Sequence, residues 1–228
     1  LSFTRYQEGD PWIAYKQFCQ HFLAPLALMS KKDIRLGAML KDHIDGIPLD
    51  LAQKLLPGGS WLNLGLLTHI HLHARAQEKM NIESTRRSTP NQRITKATLV
   101  ALIENLEKTV RKLNWTPHGT DWLSYYQATN YSEPAFDEKK RIVHDILHEL
   151  KPATIIDLGA NTGVFSRQSA GLENCHVISC DIDPGAVEVN YREVKRNREK
   201  HILPLVIDLT NPSPALGWNN HERSAFQT

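Results

Sequence analysis

The spacing of apolar residues divides the chain into two parts, and the first part has helical periodicity. The clearest apolar stripe repeats every three or four residues, at Leu99, Ile103, Leu106, Val110 and Leu113. A similar spacing extends from Trp12 to Leu26, where we expect Pro25 to bend or end the helix. Residues 1–114 are therefore predicted to form a helical N-terminal domain.

The pattern changes after residue 115, where short β-branched segments alternate with helical ones. A helix is predicted from about Pro134 to Leu150. The predicted strands are residues 154–158, 176–180 and 203–208, with a short helix from about Val164 between the first two. Strands that alternate with helices predict a parallel sheet with helices on both faces. We therefore expect residues 115–228 to form an α/β domain.

Composition argues against several classes of protein. Of the 228 residues, 41% are hydrophobic and 23% are charged, which is ordinary for a globular protein. The net charge of +2 is too small to favour nucleic acid or an anionic membrane as a partner. Apolar runs fall short of the ~20 residues that a membrane span needs. The cysteines are odd in number and lack metal-ligand spacing, which favours reduced thiols in a cytoplasm.

Histidines and aromatic residues offer two further candidate sites. His69, His71 and His73 alternate, but their neighbours favour a helix and supply no suitably spaced acid or cysteine, so no metal site is predicted. Aromatic residues are dense at 122–131, where core packing is the simpler interpretation. The sharper hypothesis is that Asn130 and Tyr131 form a lid over a cofactor.

The stretch from Asp157 to Phe165 follows the first predicted strand and carries the candidate chemistry. Ligands of an open parallel sheet bind at the carboxyl ends of its strands, beside the first tight turn. Gly159 lets the backbone leave the strand sharply, and Gly163 lets the next helix and a ligand approach closely. Asn161 lies between them and tolerates a positive φ. The amides at the start of that helix are donors for a carboxylate or a phosphate.

A second acid ends the second predicted strand. Asp181 follows Gly159 by about 20 residues, the spacing at which an acid binds the ribose in nucleoside-binding βαβ units. An ionised carboxylate accepts two hydroxyl hydrogen bonds, and such charge-assisted bonds are strong. Asp183, directly before a proline, is interpreted as the N-cap of the following helix. Asp208 comes at the end of the third strand, toward the same crevice.

These segments resemble the motifs of class I S-adenosylmethionine-dependent methyltransferases. Motif I of that family is commonly an acid, one residue and then G-x-G-x-G, and here Asn161 replaces the central glycine. Residues 177–184 resemble the family's second strand, and residues 206–209 resemble its third. The resemblance implies a partial Rossmann-like methyltransferase domain with S-adenosylmethionine as its cofactor. The residues it places at the cofactor are Asp157, Gly159, Asn161, Gly163, Asp181, Ile182, Asp208 and Leu209.

The same resemblance implies a role for most of these side chains. Asp157 attracts the methionyl ammonium directly or through water, Asp181 binds the ribose diol, and Ile182 packs on the adenine. Asp208 faces the adenine amino group. A catalytic base often follows the family's fourth strand, and only three strands are readable here, so the base and the methyl acceptor stay unnamed.

Three other segments resemble one bacterial group of these methyltransferases, described as nodulation-protein-like. They are residues 12–26, 67–73 and 211–218. The resemblance implies a bacterial enzyme, and the cysteine pattern adds the expectation of a cytoplasmic location. Asn211 and Pro212 also invite comparison with the Asn-Pro-Pro-aromatic motif of amino-group methyltransferases. Because they follow the third strand and not the fourth, we interpret them as a rigid connection.

Two alternatives remain open. A nicotinamide-dependent oxidoreductase would need G-x-G-x-x-G, but Asn161 and Val164 stand where the second and third glycines belong. A non-catalytic protein could retain the cofactor fold and use its N-terminal helices as a partner surface. An acceptor pocket in later strands would favour an enzyme over this second alternative.

Three strands would build one half of a doubly wound sheet, the half that holds the cofactor. We therefore expect the chain to be truncated and residues 1–228 alone to be inactive in methyl transfer. The exposed edge of the first strand would also favour self-association unless another element covers it.

Overall fold

The structure, a computed structural model, describes residues 6–10, 12–83, 94–117 and 132–226. The hypothetical lid residues Asn130 and Tyr131 lie outside the described residues. The chain divides into a unit of residues 1–115 with 213–226 and a second unit of residues 116–212. Residues 213–226 follow the α/β part in the sequence but group with the helices.

The first unit contains helices of the α, 3-10 and π kinds. In chain order they are α1 (Tyr15–Phe18), a π-helical turn (Cys19–Leu23), α2 (Ala24–Lys31), a 3-10 helix (Ile34–Lys41), α3 (Leu49–Leu55), a 3-10 helix (Gly58–Leu62), α4 (Leu64–Leu66), a π-helical turn (Leu67–Leu72), α5 (His73–Glu83) and α6 (Lys96–Arg111). A single 3-10 turn at Trp218–Asn220 belongs to the same unit.

Pro25 does not end the first helix. The elements α1, the π-helical turn and α2 follow one another without a break from Tyr15 to Lys31. Proline has no N–H, so the carbonyl four residues earlier loses its usual donor. Just before Pro25 the helix widens, and the Ala24 N–H donates to the Cys19 carbonyl five residues back. The chain thus absorbs the proline as a π-helical turn.

The helices of the first unit enclose an apolar core. Its fully buried members include Cys19, Leu23, Ala27, Leu28, Ile47, Ala52, Leu66 and Ile70. A Cβ atom at Gly65 would overlap the side chain of Thr109, so α4 and α6 can approach this closely only because residue 65 is glycine. The sequence stripe on α6 is partly wrong: Leu106 is buried, but Ile103 is 48% exposed.

The second unit contains a small parallel sheet. Its elements are α7 (Glu133–Leu150), β1 (Thr154–Leu158), a 3-10 helix (Ser166–Ser169), β2 (His176–Asp181), α8 (Pro184–Asn197) and β3 (Ile202–Val206). The strands lie in the order β1-β2-β3, so β1 is an edge strand among the described residues. The predicted positions of β1 and β2 are confirmed, whereas β3 ends before Asp208.

One face of this sheet carries a buried core. Ile155, Val177 and Ile202 are aligned across the three strands and pack with Val194 of α8. The next row exposes Ile156 and Leu203 by 60% and 54%. The expectation of helices on both faces is therefore wrong for the described residues, which bury only one of the two apolar rows. No helix among them is both long and apolar enough to cross a membrane.

The alternating histidines of the first unit are structural. His69 and His71 are fully buried. His69 Nε2 donates to Asn105 Oδ1 at 2.7 Å, which leaves Nδ1 to accept from the Tyr15 hydroxyl at 2.6 Å. His71 stacks on Trp61 with ring centroids 4.1 Å apart. Within the described ranges no three acids, histidines or cysteines are grouped to hold a metal ion.

Burial sets the protonation states in this cluster. Burial, the dominant cause, raises the pKa of the Tyr15 hydroxyl and raises that of the Cys19 thiol to about 12. Both groups therefore stay protonated at neutral pH, so the Cys19 thiol is not a nucleophile. Burial also lowers the pKa values of His69, His71 and His73, so the folded unit holds them neutral.

Acid should destabilise the helical unit. The unfolded chain regains ordinary histidine pKa values near 6.5 and binds more protons, so the free energy of unfolding falls as pH drops below that value. The melting temperature, followed by circular dichroism, should fall by several degrees between about pH 7.5 and 5.5. His69→Gln should flatten this pH dependence, whereas His21→Gln, at an exposed position, should leave it unchanged. An equal slope in both variants would contradict the assignment.

Candidate nucleotide site at the strand ends

The turn after β1 has the backbone that its sequence requires. Gly159, Asn161 and Gly163 have φ values of 74°, 51° and 80°. This left-handed region is open to glycine and is tolerated by asparagine. The expectation that Asn161 can replace the central glycine of motif I without loss of the turn is confirmed.

The two glycines of the turn have different surroundings. A Cβ atom at Gly159 would meet nothing within 4 Å, so the space beside this residue is open. A Cβ atom at Gly163 would lie 2.6 Å from both Arg167 Nη1 and Asn190 Nδ2. Gly163 thus lets protein side chains approach the turn, and the room for a ligand lies at Gly159.

Backbone amides of the turn are already engaged. The Gly159 and Ala160 N–H groups both donate to the Cys180 carbonyl at 2.9 Å. The Asn161 N–H donates to Asp181 Oδ2 at 2.7 Å, the Thr162 N–H donates to Asn161 Oδ1 at 2.7 Å, and the N–H of residue 163 donates to the Ala160 carbonyl at 2.8 Å. Five consecutive donors are therefore occupied by acceptors of the protein itself.

The element after the turn differs from the predicted one. The sequence suggested a helix from about Val164, but the structure has only the 3-10 helix Ser166–Ser169. A 3-10 turn of this length has poorly aligned bonds and no substantial dipole. The expectation that a helix N-terminus binds an anion here is therefore wrong for this turn.

Asp181 connects the turn to β2 and α8. Its Oδ2 accepts from the Asn161 N–H, and its Oδ1 accepts from the Asp183 N–H at 2.9 Å. A carboxylate offers about four acceptor positions, so these two bonds leave capacity for a ligand hydroxyl. Asp183 itself caps α8 by accepting from the Gly185 N–H at 2.8 Å, which confirms its structural interpretation.

A buried polar cluster lies behind Asp157. Ser166 Oγ is 2.7 Å from Asp157 Oδ2 and 2.8 Å from Ser179 Oγ, and Asn190 Nδ2 is 2.8 Å from Ser179 Oγ. None of these three polar residues was among the site residues predicted from the sequence. Ser179 carried the available signal, because it is a polar residue inside an otherwise apolar strand of a parallel sheet.

Arg167 is another residue of the site that was not predicted from the sequence. Its Nη1 donates to the carbonyls of Thr162 and Gly163 at 2.9 Å, and its Nε and Nη2 bind the Glu199 carboxylate at 3.1 and 2.9 Å. The Arg167 and Glu199 side chains are only 18% and 17% exposed. The pair therefore holds the glycine turn against the end of α8.

Three other predicted residues surround the carboxyl ends of the strands. Ile182 is 58% exposed and Leu209 is 46% exposed, so both present apolar surface. Asp208 Oδ1 accepts from the Thr210 N–H and hydroxyl at 2.9 and 2.7 Å, which makes it the first residue of an Asx turn. Its assignment to the adenine amino group stays a prediction.

The local field at the strand ends is negative. Burial raises the pKa of the Cys180 thiol, and Asp157 and Asp181 raise it further because they disfavour a nearby thiolate. Both carboxylates lie close to Cys180, whose carbonyl accepts the Gly159 N–H. Chemically, this edge of the sheet suits a ligand with hydroxyl groups and positive charge.

The Arg167–Glu199 pair should contribute strongly to the stability of the turn. Arg167→Ala leaves a mostly buried carboxylate without its partner and should lower the free energy of unfolding by about 2–3 kcal/mol in urea denaturation. Arg141→Ala serves as the control, because Arg141 also forms ion pairs, with Glu138 and Asp145, but on an exposed helix surface. Similar losses in the two variants would contradict the role of the Arg167 pair.

Comparison with known proteins gives a match that covers the whole of this chain. The chain is 34% identical over 240 residues to nodulation protein NoeA of Rhizobium meliloti (strain 1021), and the match covers 100% of this chain and 48% of NoeA. The chain therefore spans about half the length of this curated relative. No protein-family model matches the chain.

A solved structure gives a weaker likeness. Coclaurine N-methyltransferase bound to N-methylheliamine and SAH has 18% sequence identity and a TM-score of 0.32, over 76% of this chain and 49% of that one. This likeness is too distant to carry an argument. The match to NoeA confirms the expected resemblance to the nodulation-protein-like group, because the chain is similar along its whole length to about half of NoeA.

Proposed function

We propose that this chain is the cofactor-binding part of an S-adenosylmethionine-dependent methyltransferase. The observation that carries the proposal is the balance of donors and acceptors at the strand ends. The turn has used its amide donors internally, Gly159 adjoins open space, and the Asp157 and Asp181 carboxylates lie at the ends of the two strands that this turn adjoins. A cofactor with a sulfonium, an ammonium and two ribose hydroxyls matches that balance.

A dinucleotide fits the same site poorly. Its pyrophosphate carries negative charge and binds to unengaged amides at a glycine turn and a helix N-terminus. Here the amides of residues 159–163 have partners, and a four-residue 3-10 helix follows. Two carboxylates would also repel the phosphates. These features favour methyl transfer over nicotinamide chemistry.

Each predicted residue would have a distinct task. Asp181 would accept hydrogen bonds from the ribose hydroxyls, and Asp157 would attract the cofactor's ammonium group. Ile182 and Leu209 supply exposed apolar surface for the adenine ring. When bound, the cofactor supplies a methyl group already activated by its sulfonium. The protein's contribution is then to position that group and exclude water.

The proposal extends to the setting of the enzyme. The three cysteines are buried free thiols, which is consistent with a reducing cytoplasm. The acceptor side of the enzyme is proposed to correspond to the part of NoeA that this chain does not match, which is about half of its length. Residues 1–228 alone should therefore bind cofactor without transferring its methyl group.

Calorimetric titration tests the proposed cofactor. The chain should bind S-adenosylhomocysteine with a measurable dissociation constant, and NAD should bind at least tenfold more weakly. The physical reason is the lack of unengaged amides for a pyrophosphate. NAD binding as tight as that of S-adenosylhomocysteine would overturn the proposal.

Asp181→Asn tests the ribose contact. Asparagine keeps one acceptor oxygen for the backbone but loses the charge, so affinity for S-adenosylhomocysteine should fall by about 10- to 100-fold. The melting temperature of the unliganded variant reports whether the turn survives. Asp183→Asn is the matched control two residues away, because asparagine caps a helix as well as aspartate does. An unchanged affinity in folded Asp181→Asn would refute the ribose role.

A further inference from the structure

The polar cluster behind Asp157 is closed to solvent. Ser166, Ser179 and Asn190 are exposed by 2%, 1% and 1%. They come from the 3-10 helix, from β2 and from α8. Burying three polar side chains is costly unless each contact holds a hydrogen bond. Their position next to Asp157, a predicted ligand-binding acid, indicates that their hydrogen bonds act on its carboxylate.

The number of available hydroxyl and amide protons determines which group donates in each hydrogen bond of the cluster. Asp157 is an acceptor when ionised, so the single hydroxyl proton of Ser166 points to its Oδ2. Ser179 must then supply the proton for its 2.8 Å contact with Ser166. Asn190 Nδ2 supplies the proton for the contact with Ser179. With the Asn190 amide flipped, the contact between the two serines would have no proton.

The result is a chain of three donors that all point toward one carboxylate oxygen. Such aligned hydrogen bonds polarise one another and strengthen the last bond of the chain. They also fix the orientation of the carboxylate, because α8 and β2 hold the far end of the chain. Asn190 in turn packs against the turn at Gly163.

We infer that Ser166, Ser179 and Asn190 are positioning residues for the amino-acid end of the cofactor. They hold the Asp157 carboxylate ready for an ammonium group, so the cofactor need not order it on binding. Asp181 is positioned separately by the amides of Asn161 and Asp183. The amino-acid end of the cofactor would thus bind to Asp157 and its ribose to Asp181, and different residues hold these two acids in position. This inference rests on the proposed function.

Two ligands separate positioning from general stability. S-adenosylhomocysteine has the ammonium, whereas 5′-methylthioadenosine keeps the adenosine and lacks the amino-acid end. In calorimetry, Ser166→Ala should weaken S-adenosylhomocysteine about three- to tenfold and change 5′-methylthioadenosine less than twofold. Ser179→Ala, one step further back, should weaken S-adenosylhomocysteine in the same selective way but less.

The matched control is Ser169→Ala. Ser169 lies in the same 3-10 helix and is 1% exposed, but its hydroxyl donates to the Ser166 carbonyl and not toward Asp157. This variant should affect both ligands equally or not at all.

Equal losses of both ligands in Ser166→Ala, or no loss in either serine variant, would overturn the inference. Should Ser166→Ala not fold, Ser179→Ala decides by the same comparison of ligands. If the unaltered chain bound neither ligand, the proposed function would fail, and this inference with it.

Discussion

The Asp181 carboxylate is the contact on which the second unit depends. It accepts one backbone N–H from the turn after β1 and another from the start of α8, at 2.7 and 2.9 Å. A single side chain thereby joins two loops that follow different strands. Because these bonds are charge-assisted, they are stronger than ordinary turn contacts. The glycine turn keeps its left-handed residues, and the space at Gly159 stays open, because this carboxylate holds the turn in place.

The two units use buried polar groups in different ways. In the helical unit, Tyr15, His69 and Asn105 form a neutral network in which both ring nitrogens of His69 are hydrogen-bonded and burial disfavours the ionisation of Tyr15 and His69. In the α/β unit, the polar cluster ends at the Asp157 carboxylate, at the carboxyl end of β1. The first arrangement gives specificity to the packing of helices, whereas the second orients a charge.

The amino-acid sequence predicts the elements of the second unit better than their contacts. β1 and β2 could be located because apolar β-branched runs end at Asp157–Gly159 and Asp181, where turn chemistry begins. The predicted end of β3 lies two residues beyond the observed end at Val206. The reason is that Asp208 begins an Asx turn, and its sequence alone does not distinguish it from an acid at the end of a strand. The prediction of a helix from Val164 was wrong. The structure has a 3-10 helix there, in which the Ser166 hydroxyl points inward and donates to Asp157. Arg167 binds Glu199, 32 residues later, and no local pattern reveals such a contact.

The sheet has one further property that follows from its two apolar rows. Ile155, Val177 and Ile202 form one row across the strands, and Ile156, Ile178 and Leu203 form the next. If one strand shifted its register by one residue, an apolar residue of the second row would replace one of the first on the buried face, at little cost in hydrophobic free energy. The alternation of apolar and polar residues therefore cannot define the alignment of these strands. The polar residues can: Asp157 pairs in register with Ser179, and the Ser166 hydroxyl contacts both. The residues assigned to the cofactor would thus also determine which strand alignment the folding chain accepts.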